Sequence, residues 1–220
     1  MSAPARRDER LGVMLAPTSR GLARRAADIL GASILLVLTA PLLAAAALAV
    51  VIGSGRPVLF GHVRLGRGGR PFRCWKLRTM VVDAEAQLER DAALRRRYIE
   101  CGFKIPLSED PRVTRVGRWL RRTHLDELPQ LFNVLRGEMS LVGPRPIVRD
   151  ELEWFGADAA VLLSEKPGIF GEWASRGRRR PGYPERARLE LQYVRNRTLG
   201  RDLRILLRSI PAVFGGQGDR

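Results

Sequence analysis

The 220-residue chain has few of the residues that build cross-linked or metal-stapled scaffolds, with 2 cysteines and 2 histidines. Cys74 and Cys101 can make at most one disulfide, which excludes a disulfide scaffold. Scattered singly, they and the histidines do not form a zinc cluster. Aromatic residues make up 6% of the chain and are not interleaved with its basic residues. With no zinc pattern or known binding motif either, a nucleic-acid-binding module is a poor reading, and no nucleic-acid partner is expected. Lysine is nearly absent, occurring at Lys76, Lys104 and Lys166, so the basic charge is almost all arginine. Acidic residues number 23 against 39 basic ones, a net charge of +16 that predicts a polyanionic partner such as phosphate or an anionic membrane face. The 45% apolar content excludes wholesale disorder and also a polytopic protein with most of its mass in lipid.

One long apolar run is present. Residues 29–52 carry no charge, and as a straight helix they would extend roughly 36 Å, enough to span a bilayer core. The long leader, Asp28 at the border and the length of the run argue against a cleaved signal peptide. Pro41 lies mid-run and removes a helix hydrogen bond, with Ser33 or Thr39 available to satisfy freed backbone groups. Both flanks are basic, Arg20, Arg24 and Arg25 before and Arg56, Arg64, Arg67 and Arg70 after. The positive-inside rule favours both flanks on the cytoplasmic side. Two readings stay open on these residues: a kinked transmembrane helix, and a helix that enters, breaks at Pro41 and returns.

The remaining pattern predicts a mixed α/β, mostly helical domain. Residues 1–19 read as a disordered tail, 20–55 as the membrane segment and 56–220 as the catalytic part. Strand-like stretches at 57–65 and 72–80 flank the turn Gly66-Arg67-Gly68-Gly69-Arg70-Pro71, which reads as a hairpin turn because no helix follows it. Helices are predicted at 82–98, 112–122, 126–135, 147–155, 185–197 and 199–214, a short strand at 139–142, and a Gly/Arg/Pro-rich loop at 166–184. In the last helix Leu203, Leu206, Leu207, Ile210 and Phe214 share one face, while Arg201, Arg204 and Arg208 line another. That suits an interfacial helix on an anionic membrane, or a core helix with a solvated side.

The densest chemical pattern is Arg121-Arg122-Thr123-His124-Leu125-Asp126-Glu127-Leu128-Pro129-Gln130. Two adjacent carboxylates at a helix start, with Asp126 as N-cap and Pro129 in the first turn, sit in a positive field that keeps them ionised. An ionised carboxylate is a nucleophile toward phosphorus or a ligand for a hard cation such as Mg²⁺. Composition alone favours an acidic helix start bonded to its own arginines. Gly143-Pro144-Arg145-Pro146 is a stiff loop that presents one arginine. His62 and His124 lack a triad partner pattern, and Cys74 and Cys101 read as apolar residues rather than reactive thiols.

At these residues the chain resembles the bacterial sugar transferases, the monotopic polyprenyl-phosphate phosphoglycosyl transferases that begin exopolysaccharide, capsule, O-antigen or glycoprotein glycan assembly. The resemblance covers nearly all of residues 20–215. It includes Arg25-Ala26-Ala27-Asp28, Pro57-Val58-Leu59-Phe60, Arg64-Leu65-Gly66-Arg67-Gly68-Gly69-Arg70-Pro71-Phe72, Lys76-Leu77-Arg78-Thr79-Met80 and Asp110-Pro111-Arg112-Val113-Thr114-Arg115-Val116-Gly117. Its most specific blocks are Leu125-Asp126-Glu127-Leu128-Pro129-Gln130-Leu131-Phe132-Asn133-Val134-Leu135 and Met139-Ser140-Leu141-Val142-Gly143-Pro144-Arg145-Pro146.

The resemblance implies transfer of a sugar 1-phosphate from a UDP-sugar to undecaprenyl phosphate, with Mg²⁺ and release of UMP. It implies Asp126 as the nucleophile that forms a phosphosugar-enzyme intermediate, and Glu127 as an aid to metal binding or to deprotonation of the lipid phosphate. Arg121 and Arg145 match phosphate-binding positions, and Lys76, Arg78, Arg112 and Arg178 are further candidates in the matching blocks. The apolar segment becomes a re-entrant helix broken at Pro41, bordered by Arg25 and Asp28, in the inner membrane with the catalytic part on the cytoplasmic face. The chain is then the minimal catalytic form, and inner-membrane lipids and a homodimer are compatible partners. One stretch departs from the family pattern: in Gly171-Glu172-Trp173-Ala174-Ser175-Arg176-Gly177-Arg178, Glu172, Ala174 and Arg176 differ, and a glutamine of the pattern is missing. That puts donor identity in doubt. A catalytically silent membrane scaffold is the alternative, against which intact Asp126, Glu127, Arg121 and Arg145 speak.

Overall fold

A single 36-residue helix, α1 (Ser19–Ser54), opens the computed structural model and carries Pro41 inside it. The structure describes residues 19–101, 105–179 and 181–214, with side chains for 21–101, 105–177 and 181–209. The tail expected over 1–19 lies outside the described residues except for its last one. The helix is long and apolar enough to cross a membrane, with a mean hydropathy of 2.7. Val37 and Leu38, 75% and 72% exposed, lie within one turn of Pro41, and Ile52 near the end of the helix is 78% exposed. The helix continues through Pro41. The Thr39 hydroxyl donates to the Leu35 carbonyl at 2.6 Å, so it does not serve the carbonyl four residues before the proline.

The hairpin forms as expected. Strands β1 (Leu59–Leu65) and β2 (Pro71–Leu77) pair antiparallel, Leu59 opposite Leu77 and Leu65 opposite Pro71. Gly68 and Gly69 at the tip have φ of 70° and 74°, values open to glycine at little steric cost. The helix predicted over 82–98 is two, α2 (Ala84–Arg90) and α3 (Ala92–Glu100). Asp91 causes the split: its carboxylate accepts from the backbone N–H of Ala93 and Leu94, capping a new helix start. Helix α4 (Arg115–Thr123) is capped by the Thr114 hydroxyl, which accepts from Gly117 N at 2.8 Å.

Helix α5 (Gln130–Arg136) begins after Pro129, not at Asp126 as expected. Asp126 instead sits in a short 3₁₀ turn, Leu125–Glu127, entered through His124 at φ 57°. Strand β3 (Ser140–Val142) pairs in parallel with β4 (Gly168–Phe170), Ser140 opposite Gly168. The second strand falls in the stretch read as loop, because three residues paired at long range leave no local periodicity. A 3₁₀ segment (Arg149–Asp158) leads into α6 (Ala159–Leu163), and α7 (Glu185–Arg195) and α8 (Leu199–Phe214) close the order.

Both halves of α1 pack on this domain. Ala32 is buried with Cys74, Leu131, Val134, Met139, Leu141, Tyr193 and Ile205, a core drawn from β2, α5, β3, α7 and α8. Ala46 and Val50 are buried with Leu77 and Leu120 of β2 and α4. A third cluster, around Leu65, Ile147, Phe155 and Leu162, joins the hairpin to the 149–163 region.

Helix α4 approaches the segment that follows β2 closely at Gly117, where a Cβ would overlap the Thr79 carbonyl. Gly117→Ala should therefore force backbone apart and cost about 1–3 kcal/mol by overpacking. Thermal unfolding of the detergent-solubilised variant checks this, and an unchanged Tm would refute the close contact.

Candidate active site

The two carboxylates are placed by a reversal of the chain. Helix α4 ends with the His124 N–H on the Arg121 carbonyl at 3.4 Å, and Glu127 N then donates back to the His124 carbonyl at 3.1 Å. A non-glycine residue at positive φ is uncommon, and here it turns the chain so that Asp126 is 6% exposed beside Glu127. Asn133 fixes α5 against the hairpin from one turn away. Its fully buried amide donates to the Arg73 carbonyl at 2.7 Å and to Glu138 Oε2 at 2.6 Å, and its oxygen accepts from Trp75 N at 3.0 Å. Lys76 follows Trp75 in β2, and its Nζ reaches Glu127 Oε1 at 2.6 Å.

This pair sets the local electrostatics. Burial alone would raise the Glu127 carboxyl, but the Lys76 ammonium and then Arg145 outweigh it and hold the group at about 2. Burial likewise opposes the Lys76 charge, yet Glu127 and Asp126 raise its pKa above the ordinary value. Glu127 is thus ionised throughout the neutral range, with a fixed cation alongside.

Arg145 arrives on a loop held by four contacts. Gly143 N donates to the Phe170 carbonyl and Gly168 N to the Pro144 carbonyl, each at 2.9 Å. Arg145 N donates to Glu190 Oε1 at 3.3 Å, and Arg64 donates to the Pro146 carbonyl at 3.3 Å. The Arg145 guanidinium lies 5.4 Å from the centre of the Trp173 ring, and the indole N–H is fixed on the Pro181 carbonyl at 2.7 Å. Arg121 is half-buried and its Nε donates to Thr79 Oγ1 at 2.9 Å.

The candidates therefore divide. Asp126, Glu127, Lys76 and Arg145 converge, and Arg121 belongs to the helix that delivers them. Arg78 and Arg112, expected to bind phosphate, have other partners. Arg78 Nη2 donates to the Ser54 and Gly55 carbonyls at 2.8 and 2.6 Å, closing the C-terminal end of α1. Arg112 makes a buried two-pronged contact with Asp110, at 2.9 and 2.8 Å, with its guanidinium over Tyr98. Both sequence blocks mark fold contacts at these positions, and arginine in a motif does not reveal which acceptor it meets. The Arg178 side chain lies outside the described residues.

Arg25 and Asp28 act at the membrane border as clasps. Arg25 donates to the Val134 and Leu135 carbonyls at 2.5 and 2.7 Å, capping the far end of α5. Asp28 accepts from Ser140 Oγ at 2.9 Å and Leu141 N at 2.8 Å. The altered loop also has a structural answer. Glu172, 6% exposed, accepts from Arg201 of α8 at 3.3 Å and faces Arg176 at 3.8 Å.

Glu190 is a site residue that the sequence reading missed. It shares the buried face of α7 with Ala187 and Leu191, and a lone carboxylate on such a face was the available signal. Among the described residues no group of three or more His, Cys, Asp or Glu is arranged to hold a metal. Two adjacent carboxylates nevertheless suit Mg²⁺, which retains waters and completes its shell with substrate phosphates.

Residues 19–216 match the family model described as bacterial sugar transferase. The exopolysaccharide production protein ExoY of Rhizobium meliloti (strain 1021) is 43% identical over 90% of this chain and 88% of its own length. The undecaprenyl-phosphate galactose phosphotransferase of Salmonella typhimurium is 42% identical over 93% of this chain, but the match spans only 43% of that longer protein. The UDP-glucose:undecaprenyl-phosphate glucose-1-phosphate transferase of Caulobacter vibrioides is 40% identical over 88% of this chain and 70% of its own length. The chain belongs to the bacterial sugar transferase family, and it is a phosphotransferase enzyme.

Glu190 yields a pH test. Burial raises its carboxyl, Arg186 and Arg145 only partly oppose that, and it titrates at about 7. Between the ordinary value of 4.5 and 7 the folded state holds a proton that the unfolded chain releases. This group therefore makes stability fall as pH rises through that window. Glu190→Gln should flatten the decline in Tm across it, and an unchanged slope would show that Glu190 does not carry the proton.

Proposed function

We propose that the chain transfers a sugar 1-phosphate from a UDP-sugar to undecaprenyl phosphate, releasing UMP, as an early membrane step of exopolysaccharide assembly. The observation that carries this reading is a buried Asp126 beside the Glu127–Lys76 pair and the Arg145 loop, in a chain of this family. The Asp126 carboxylate attacks the sugar-bearing β-phosphorus of the donor. The phosphoanhydride bond breaks and UMP leaves with the bridging oxygen. An acceptor phosphate oxygen then attacks the same phosphorus, the acyl-phosphate bond breaks, and Asp126 returns as a carboxylate. Lys76 and Arg145 offset negative charge gathered by the phosphates.

Asp126 and Glu127 are the residues that would hold Mg²⁺, which supplies charge neutralisation of the diphosphate. A Glu127 carboxylate held near 2 is a poor proton acceptor. That supports cation binding over deprotonation of the lipid phosphate. The names of the relatives make UDP-galactose and UDP-glucose the first donors to test.

Topology follows from where α1 is held. Asp28 is bonded to β3 and Ser54 to Arg78 of the same polar domain. A straight helix between them would extend about 39 Å, more than a hydrocarbon core of about 30 Å. A helix tied at both ends to one polar domain enters and leaves the bilayer through one face, and the basic flanks favour the cytoplasmic face. This supports the re-entrant reading without requiring Pro41 to end a helix.

UMP release from UDP-sugars, with undecaprenyl phosphate and Mg²⁺, tests the reaction in purified membranes. Asp126→Asn should reduce it by a factor on the order of 10³ or more, with membrane association intact, and substantial residual turnover would sink the nucleophile assignment. For topology, single cysteines at the exposed Leu22 and Ile52 positions, in a Cys101→Ser background, should react with an impermeant maleimide from the same side of sealed vesicles. Labelling from opposite sides would establish a span instead.

A further inference from the structure

Helix α8 divides into three faces. Asp202, Ile205 and Ser209 are buried. Leu199, Leu203 and Leu207, spaced i, i+4, i+8, are 63%, 58% and 59% exposed. Of the apolar face expected from the sequence, Leu203 and Leu207 are exposed while Leu206 packs on the core, and the side chains of Ile210 and Phe214 lie outside the described residues. Arg201, Arg204 and Arg208 form the third face and line a cavity of about 440 Å³ with Glu172, Gln192 and Thr198.

The cavity is charged unevenly. Arg201 is engaged, donating to Glu172 and to the Gln192 carbonyl at 3.3 and 3.2 Å. Arg204 and Arg208 are exposed and have no ion pair or hydrogen bond among the described residues. Two unpaired guanidiniums therefore face a space lined by a single carboxylate that is already bonded. Such a set takes a phosphate-bearing anion.

The depth of the cavity relative to α1 selects the source of that phosphate. Arg24, just before the apolar run, lies 3.9 Å from Asp202 of α8. Ile205 is buried with Ala32, and Leu35, Leu36 and Leu206 pack on the same cluster. The arginine face thus sits level with the point where α1 turns apolar, and the exposed leucines lie alongside it. That is headgroup level for a helix resting in the interface.

We propose that this cavity is a binding site for the phosphodiester headgroup of an anionic phospholipid, held by Arg204 and Arg208 while Leu199, Leu203 and Leu207 contact its acyl region. Glu172 borders the cavity and the next residue, Trp173, lies against Arg145, so the site adjoins the Arg145 loop without including the carboxylates in its lining. The proposal rests on membrane association of α1 and is independent of the reaction assigned to Asp126.

The test is lipid retention by the full chain in detergent, read by native mass spectrometry after titration with phosphatidylglycerol or phosphatidylcholine. Phosphatidylglycerol should be retained preferentially. Arg204→Gln/Arg208→Gln should weaken its retention roughly ten- to thirtyfold, as loss of two interfacial charges implies. Arg204→Lys/Arg208→Lys should restore most of it, showing that charge and not misfolding is read. Equal retention by the glutamine variant, or equal retention of the two lipids by the wild type, would overturn the proposal. So would displacement of phosphatidylglycerol by millimolar inorganic phosphate or UDP, which would make the cavity a soluble-anion site. Turnover enters none of these readings, so failure here and failure of the transferase assignment are distinguishable.

Discussion

The clasp between the start of α1 and the ends of α5 and β3 is the constraint on which the rest of the structure depends. Arg25 satisfies two carbonyls that the end of α5 leaves open, and Asp28 satisfies a hydroxyl and a backbone N–H of β3. Charged groups at the edge of an apolar helix are costly unless paired, and pairing them with a polar domain locks that domain to the membrane border. The same two elements flank the candidate site. Helix α5 follows the turn that holds Asp126 and Glu127, and β3 runs into the Arg145 loop. An apolar helix and an ionic site are thereby held in register.

The site itself is a balance of burial against charge. Asp126 and Glu127 are drawn from water by α4, α5 and β2, which would favour neutral carboxyls. Lys76 and Arg145 reverse that for Glu127. Charged groups stay close together here because each cation is fixed by a stiff element, Lys76 by a hydrogen-bonded strand and Arg145 by a loop with its backbone bonded on both sides. Glu190 backs that loop from α7 and shows how far the support extends from the reacting groups.

Arginine excess is divided among distinct tasks. Arg78 closes a helix end, Arg112 pairs with Asp110, Arg197 bonds Glu165 at 2.6 Å, and Arg186 bonds Glu151 at 2.9 Å. Net charge therefore overstates what remains to attract phosphate.

Much was legible in the sequence. The apolar run, the hairpin around Gly68 and Gly69, the helices at both sides of Asp126 and Glu127 and the final amphipathic helix follow from local periodicity, turn chemistry and capping, and the conjunction of motif blocks pointed to the family. What the sequence left open depends on long-range contact. Strand β4 exists because β3 pairs with it, Asp91 splits a helix by accepting two N–H groups, and Asp126 leaves the N-cap position because His124 reverses the chain. Arginines that look alike in a motif were separated only by the acceptors the fold brings to them, Ser54 and Gly55 for Arg78 and Asp110 for Arg112. The chain by itself determined that an apolar helix precedes an ionic, arginine-rich domain, since composition and local pattern govern burial and helix formation. Which charges meet, and that both ends of α1 return to the same domain, was decided by tertiary structure, because pairing energies fall off within a few ångströms and sequence separation says nothing about that distance.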